Sequence, residues 1–303
     1  MSVLTVGEAL GLLDPAEAGP LRLGMPLTLR FAGAESNLAI ALARLRVPVT
    51  WISRVGEDPI GAMIVAALGR EGVDTSRVVT QEGGRTGVFM KWREDGRTRV
   101  LYHRRGSAAC DLRPADVPDA ALEGVRVVHV TGITMAISDS AAELVVDLVA
   151  RAKRRGIIVV FDPNFRPALP DTPAAAAARA LPVLEHADWY LCGLEEGNAL
   201  WGTSTADELA EAIGVPSVIR LGAAGALVGG ERVAPAAQLR VVDEVGAGDA
   251  FAAGFELGLL RDLAPTACVR AANLLAGRAL LGTGDWETLP RLGEVQAQLA
   301  ELG

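Results

Sequence analysis

From residue 125 onward, short apolar runs alternate with helical stretches, and no other feature of the chain so narrows its possible folds. Residues 127–130, 157–161, 189–192 and 218–221 are short and apolar, as strands buried on both faces are. Helical patterns fill the intervals, at about 140–154, 173–186 and 205–213. Two more follow Asp249, and a last one lies near 290–302. Strands joined by helical crossovers predict a mainly parallel sheet covered on both faces. The first third follows the same plan. It has a strand at 3–6, a helix at 36–45 with Leu38, Ala41, Leu42 and Leu45 on one face, a strand at 49–52 and a helix at about 60–70.

Two segments break this rhythm. Residues 10–32 are rich in Gly, Pro and Leu without a helical period, and read as short strands and turns. Residues 86–104 read as a β-hairpin that turns at Asp95-Gly96. Ligands in open α/β sheets bind beyond the carboxyl ends of the strands. The two segments are therefore expected to pair as a small lid that closes there and excludes water. No repeat or long linker interrupts residues 1–303, so one α/β domain carrying this lid is expected. The lid's exposed strand faces predict a homodimer or higher homo-oligomer.

Composition removes several classes of function. A net charge of −8 argues against nucleic acid or an anionic membrane as the main partner. No apolar run is long enough to span a bilayer without a charge or a turn residue. Cys110, Cys192 and Cys268 are far apart and form no CxxC, so neither a disulfide framework nor a zinc site is expected. With no secretory pattern at its start, the chain reads as cytoplasmic. Its only lysines are Lys91 and Lys153, and no Gly-Lys pair occurs, so the GxxxxGK[ST] phosphate loop is absent. The His-Arg-Asp and Asp-Phe-Gly motifs of protein kinases are missing too. No GxGxxG opens the first βα unit, which disfavours a dinucleotide oxidoreductase. His103, His129 and His186 show no ligand spacing.

The chemistry is concentrated at residues 243–251, Asp-Glu-Val-Gly-Ala-Gly-Asp-Ala-Phe. Gly246 and Gly248 flank one small residue, Asp249 follows, and an apolar helix-forming run begins. A turn that opens a helix exposes N–H groups with no intrahelical partner, and the helix dipole makes them an anion site. A carboxylate would repel a merely bound phosphate. It suits a phosphoryl acceptor, whose hydroxyl needs a base while its transition state needs N–H donors. An ordinary first-turn Asp is the bland alternative on these residues alone.

Three stretches together resemble the ribokinase-like (PfkB) carbohydrate kinases. Residues 31–39, Phe-Ala-Gly-Ala-Glu-Ser-Asn-Leu-Ala, are similar to that family's N-terminal glycine motif. Residues 55–61, Val-Gly-Glu-Asp-Pro-Ile-Gly, match its GxDxxG turn, and 243–251 its C-terminal signature. The resemblance covers nearly the whole chain and implies a three-layer α/β/α sandwich with a β-sheet lid. Within the family, the nearest group is the 2-keto-3-deoxygluconate kinases. Residues 101–108, Leu-Tyr-His-Arg-Arg-Gly-Ser-Ala, resemble that group's lid strand, and 162–167, Asp-Pro-Asn-Phe-Arg-Pro, its Asp-x-Asn-x-Arg segment. A keto-deoxy sugar acid has a carboxylate, which two converging arginines suit. Another sugar or a nucleoside stays open as the acceptor, as does a weakly catalytic sensor of a sugar acid or nucleotide.

The resemblance implies roles residue by residue. Gly33 lets the sugar approach the backbone, and Asn37 bonds a hydroxyl. Tyr102 and Arg104 contact the sugar acid from the lid, and Arg166 holds its carboxylate or keto end. Asp249 is the base, and the N–H groups of Gly246, Ala247 and Gly248 form the anion hole. ATP is the donor, with Gly222 and Gly225 shaping its loop and Asn273 lining the adenine pocket. Mg²⁺ bridges the phosphates through water, with Glu196 nearby. Asp243 is expected to hold the turn. Five departures stand out. Gly193 replaces the first Asn of Asn-x-x-Glu. Arg220 replaces a common lysine and Ala224 stands where a charged residue is frequent, which together predict the loss of one phosphate contact. Glu244 alters the 243–251 loop, and 168–170, Ala-Leu-Pro, change one wall of the sugar pocket.

Overall fold

The computed structural model describes residues 2–95, 97–166, 171–236, 241–242 and 245–302. Gly96 of the hairpin turn, residues 168–170, Asp243 and Glu244 lie outside the described residues. In chain order, β1 (Ser2–Val6) leads to β2 (Leu10–Pro15), β3 (Leu27–Ala32), α1 (Ala34–Arg44) and β4 (Val49–Ile52). Then come β5 (Arg54–Gly56), α2 (Pro59–Arg70), β6 (Val79–Gln81), and the hairpin of β7 (Val88–Glu94) and β8 (Arg97–His103). The alternating part runs β9 (Val125–Thr131), α3 (Gly132–Met135), α4 (Asp139–Arg154), β10 (Ile158–Asp162), α5 (Pro173–Leu184), β11 (Trp189–Gly193), α6 (Leu194–Trp201), α7 (Ala206–Ile213) and β12 (Ser217–Arg220). It ends with β13 (Ala226–Val228), β14 (Glu231–Val233), α8 (Ala247–Leu260), α9 (Pro265–Ala279) and α10 (Leu292–Ala300).

The main sheet has eight strands in the order β14-β13-β12-β11-β10-β9-β1-β4. From β12 to β4 all neighbours are parallel, and only the β13–β14 edge is antiparallel. The mainly parallel sheet covered on both faces is therefore present as the alternation predicted. One face packs Val3, Trp51, Val127, Val160 and Val218 against α1, α2, α8 and α9. The other packs Leu4, Val128, Val159 and Phe161 against α4, α5 and α7. The edge strands β13 and β14 were not foreseen. They are three residues each, too short for periodicity to register.

The strand order reverses around β1, which pairs in parallel with β4 on one side and β9 on the other. A crevice opens at such a switch point, beyond the carboxyl ends of the strands. Over it lies a second sheet of four strands, β3-β2-β7-β8, which joins the 10–32 and 86–104 segments through parallel β2–β7 pairing. The GxDxxG turn anchors its base. Asp58 caps α2 by accepting from the Gly61 N–H at 2.8 Å, and its other oxygen accepts from the Thr86 N–H at 2.6 Å, just before β7.

Candidate active site

The crevice is a cavity of about 440 Å³ between the two sheets. Its wall brings together Gly33, Asn37, Tyr102, Arg104, Arg166, Glu196, Gly246, Gly248 and Asp249 from five separate parts of the chain. Asn273, Gly222 and Gly225 are not on this wall.

Gly246 is the N-cap of α8 in the left-handed region, at φ 75°. A Cβ there would lie 2.0 Å from the Asp285 carbonyl oxygen, so glycine is required by both conformation and space. The turn presents the first N–H groups of α8 to the cavity, with Asp249 in the first turn. Asp249 Oδ2 accepts from Asn37 Nδ2 at 2.8 Å, and the amide oxygen of Asn37 is buried without a bond. Asn37 thus orients the carboxylate. Burial pushes the Asp249 carboxyl up to about 7. Asn37 and the positive charge of Arg166 oppose that rise, while Asp162 and Asp285 add to it. A base with this value is half-protonated near neutral pH, where general-base catalysis is most efficient. If Asp249 is the base, kcat/KM falls tenfold per pH unit below about 7. A flat profile between about pH 5 and 8 would remove it from that role.

Around this carboxylate the wall is charged and mostly paired. Glu8, 5% exposed, follows β1 and holds Arg104, with Nε at 2.8 Å. The Arg104 guanidinium lies 5.7 Å from the Tyr102 ring centroid, and that ring stacks on Phe89 at 5.5 Å. Arg104 is therefore a clamped cation rather than a solvated one, and its Nη1 is buried with no partner. Lys91, from β7, stands 3.9 Å from the Asp285 carboxylate. Among the described residues Arg166 makes no ion pair, and it projects from the end of β10 into the cavity. Asn164, two residues before it, has a left-handed backbone at φ 43°, which Asn tolerates better than most side chains. Its buried amide oxygen is unbonded and belongs to the same wall.

The fold gives several of the expected site residues protein partners. Arg220 is one of them. Its Nη1 bonds Asp162 at 2.8 Å, Nη2 lies 3.5 Å from Glu196, and the guanidinium abuts Gly248, 3.6 Å from where a Cβ would be. Glu196, expected near Mg²⁺ through water, accepts from the N–H groups of Phe165 and Gly193 and faces Arg220. Burial raises its pKa, and the Asp162 charge adds to that. No group of three or more His, Cys, Asp or Glu among the described residues could hold a metal ion. The Asn273 side chain donates to the Ala234 carbonyl at 2.9 Å, so it fastens the chain after β14 to α9. Gly225, at φ 86°, presses on the Val233 carbonyl and shapes the same corner, while Gly222, at φ 58°, faces open space. Gly33 is demanded by packing: a Cβ would lie 2.3 Å from the Glu8 carbonyl oxygen.

Glu8, Lys91, Asn164 and Glu35 were missed as site residues. Glu35 is 1% exposed, accepts hydrogen bonds from Thr131 and Thr134, and is driven up in pKa by burial. A charged residue inside the apolar stretch 31–39 was the available signal, since a buried carboxylate needs partners.

Comparison with known proteins agrees with this fold. The model of the pfkB family carbohydrate kinases matches residues 2–291. The chain is 34% identical to the 2-dehydro-3-deoxygluconokinase of Bacillus subtilis, covering 96% of this chain and 93% of that protein. It is also 34% identical to the 2-dehydro-3-deoxygluconokinase of Thermoproteus tenax, covering 100% and 95%. The crystal structure of a PfkB protein from Polaromonas superposes with a TM-score of 0.87 at 37% identity, covering 98% and 99%. A sugar kinase from Pyrococcus horikoshii in complex with ATP superposes with a TM-score of 0.83 at 25% identity, covering 99% of each chain.

Proposed function

The chain belongs to the PfkB family of carbohydrate kinases, and from that premise we propose that it transfers the γ-phosphoryl group of ATP to the terminal hydroxyl of 2-keto-3-deoxygluconate. The observation that carries the acceptor is the pairing pattern of the wall. Lys91, Arg104 and Arg220 each have a carboxylate partner, whereas Arg166 has none among the described residues and lies in the field of Asp249. An acceptor with its own carboxylate completes that set, and two near full-length relatives carry this sugar acid in their names.

In this reading, the sugar acid lies between the sheets with its carboxylate on Arg166 and its terminal hydroxyl on Asp249. Tyr102 and Arg104 close over it, Gly33 allows its close approach, and the Asn37 and Asn164 amide oxygens accept from its hydroxyls. Asp249 takes the hydroxyl proton as the oxygen attacks the γ-phosphorus, and the bond to the ADP oxygen breaks. The N–H groups of Gly246, Ala247 and Gly248 meet the charge on the transferring group, with the Arg220 guanidinium, paired with Asp162, behind Gly248. Gly222 and Gly225 border the nucleotide, and Asn273, which fastens Ala234, lines its adenine end. Mg²⁺ would come with the nucleotide phosphates and neutralise their charge, with Glu196 near it through water. The protein acts in the cytoplasm, where its three free cysteines stay reduced.

The test is a coupled assay with 2-keto-3-deoxygluconate, 2-keto-3-deoxygalactonate, fructose, ribose and adenosine. Turnover confined to the keto-deoxy acids supports the reading, and preference for a neutral sugar overturns it. Arg166→Ala should raise KM for the sugar acid about ten- to hundredfold, the worth of a charge-assisted bidentate contact, and leave KM for ATP unchanged. An equal rise in both would dissociate Arg166 from the acceptor.

The four-stranded sheet also supports a dimer. Leu27 and Leu29 on one edge strand are 45% and 49% exposed, and Val100 and Leu101 on the other are 39% and 47% exposed. Two copies joined through this sheet would cover them. Light scattering at micromolar concentration should give twice the chain mass, and Leu29→Glu should give monomers.

A further inference from the structure

α8 carries Asp249, and its packing raises the question of what fixes it along its own axis. Residues from Ala250 to Gly258 are all buried, and all but Glu256 are apolar or glycine. Apolar contact is non-directional and sets no register. On the α9 side the fit is close and smooth, with Gly254 against the Ala272 backbone and Gly258 against Cys268. The exception is Glu256, 0% exposed, whose Oε1 lies 2.6 Å from Nδ1 of His129 on β9, itself 2% exposed. Burial disfavours the charged imidazole, but Glu256, with Asp162 and Glu35 adding to it, raises the His129 pKa.

Glu256 follows Asp249 by seven residues, two helical turns, so both point from the same side of α8. Their contacts close a circuit. His129 is two residues before Thr131, which donates to Glu35. Glu35 is two residues before Asn37, which donates to Asp249. Asp249 returns along α8 to Glu256 and His129. Three buried bonds thus tie β9, α1 and α8 together, and one of them orients the carboxylate on the cavity wall.

We propose that the Glu256–His129 contact is a positioning pair that sets the axial register of α8, and through it the places of Asp249 and the 246–248 turn. Buried ion pairs add little to stability but can fix register, and a displacement of about 1 Å in a reacting group can cost about a hundredfold in rate.

The experiment compares Glu256→Gln with Glu256→Asp. The glutamine has the length of the original and still accepts a hydrogen bond from His129. The aspartate keeps the charge and shortens the arm by one methylene. The expected result is that Glu256→Gln retains kcat within about threefold. Glu256→Asp should lose at least about tenfold in kcat, at unchanged folded fraction and with both KM values within about threefold. Equal kcat in the two variants overturns the proposal, as does a loss in Glu256→Asp that merely follows its unfolded fraction. A double replacement, His129→Leu with Glu256→Met, adds a second readout: it should hold or raise Tm and still lower kcat. Wild-type kcat in that variant would equally overturn the proposal. The inference rests on the chain being a kinase with Asp249 as its base. It is read on whichever sugar the wild-type protein phosphorylates, so failure of the keto-deoxy acid assignment is detected separately.

Discussion

Asp249→Asn is expected to lower kcat at least about a hundredfold, because a general base contributes about two to four orders of magnitude. Binding of ATP and of the sugar acid should persist, since the amide fills the same volume and still meets Asn37. The same variant should be no less stable than the wild type at about pH 8, and its Tm should rise. The sign follows from the raised pKa. The folded protein holds the Asp249 proton up to about 7, whereas the unfolded chain releases it near 3.8. Between those values the folded state binds more protons, so this group's contribution to stability falls as pH rises, and the cost is complete above about pH 7. Thermal melts across that range, beside initial rates, would reveal both effects. A drop in kcat of less than about tenfold would end the assignment of Asp249 as base.

Arg220→Met should give the largest loss of stability. The guanidinium is the sole described ion-pair partner of Asp162, which is 2% exposed, and it also faces Glu196. Removing it leaves two buried carboxylates facing one another, and breaking a buried pair from one side costs about 3–5 kcal/mol. The cost should be larger at about pH 8 than at about pH 5.5, because Glu196, already raised by burial and Asp162, can take up a proton in acid. Urea unfolding at the two pH values measures this directly. Loss of the charge behind Gly248 should also lower kcat in whatever fraction remains folded. If Arg220→Met were as stable as the wild type, the ion pairs would not be part of the working structure.

The GxDxxG turn and the 243–251 signature differ in how much they reveal. Gly246 was legible as a turn residue from its neighbours, but the reason no other residue fits there, the Asp285 carbonyl behind it, comes from 39 residues further along the chain. Asp58 reads as a helix cap before Pro59, and only the fold adds its second bond to Thr86 at the base of the small sheet. At Arg220 the sequence shows only an arginine where a lysine is common, whereas the fold pairs it with Asp162 and sets it behind Gly248.

Local order in the chain therefore determined the layered sheet, the positions of most helices and the helix-opening turn that carries Asp249. Those depend on periodicities of two and 3.6 residues and on turn chemistry, which act between near neighbours. The tertiary structure alone decided which charges are paired and which is left for a ligand. Asn37 meets Asp249 across 212 residues, Arg104 meets Glu8 across 96, and Arg220 meets Asp162 across 58. A side chain's pKa, partner and reach depend on what burial and through-space charge bring to it, and no spacing along the sequence encodes that.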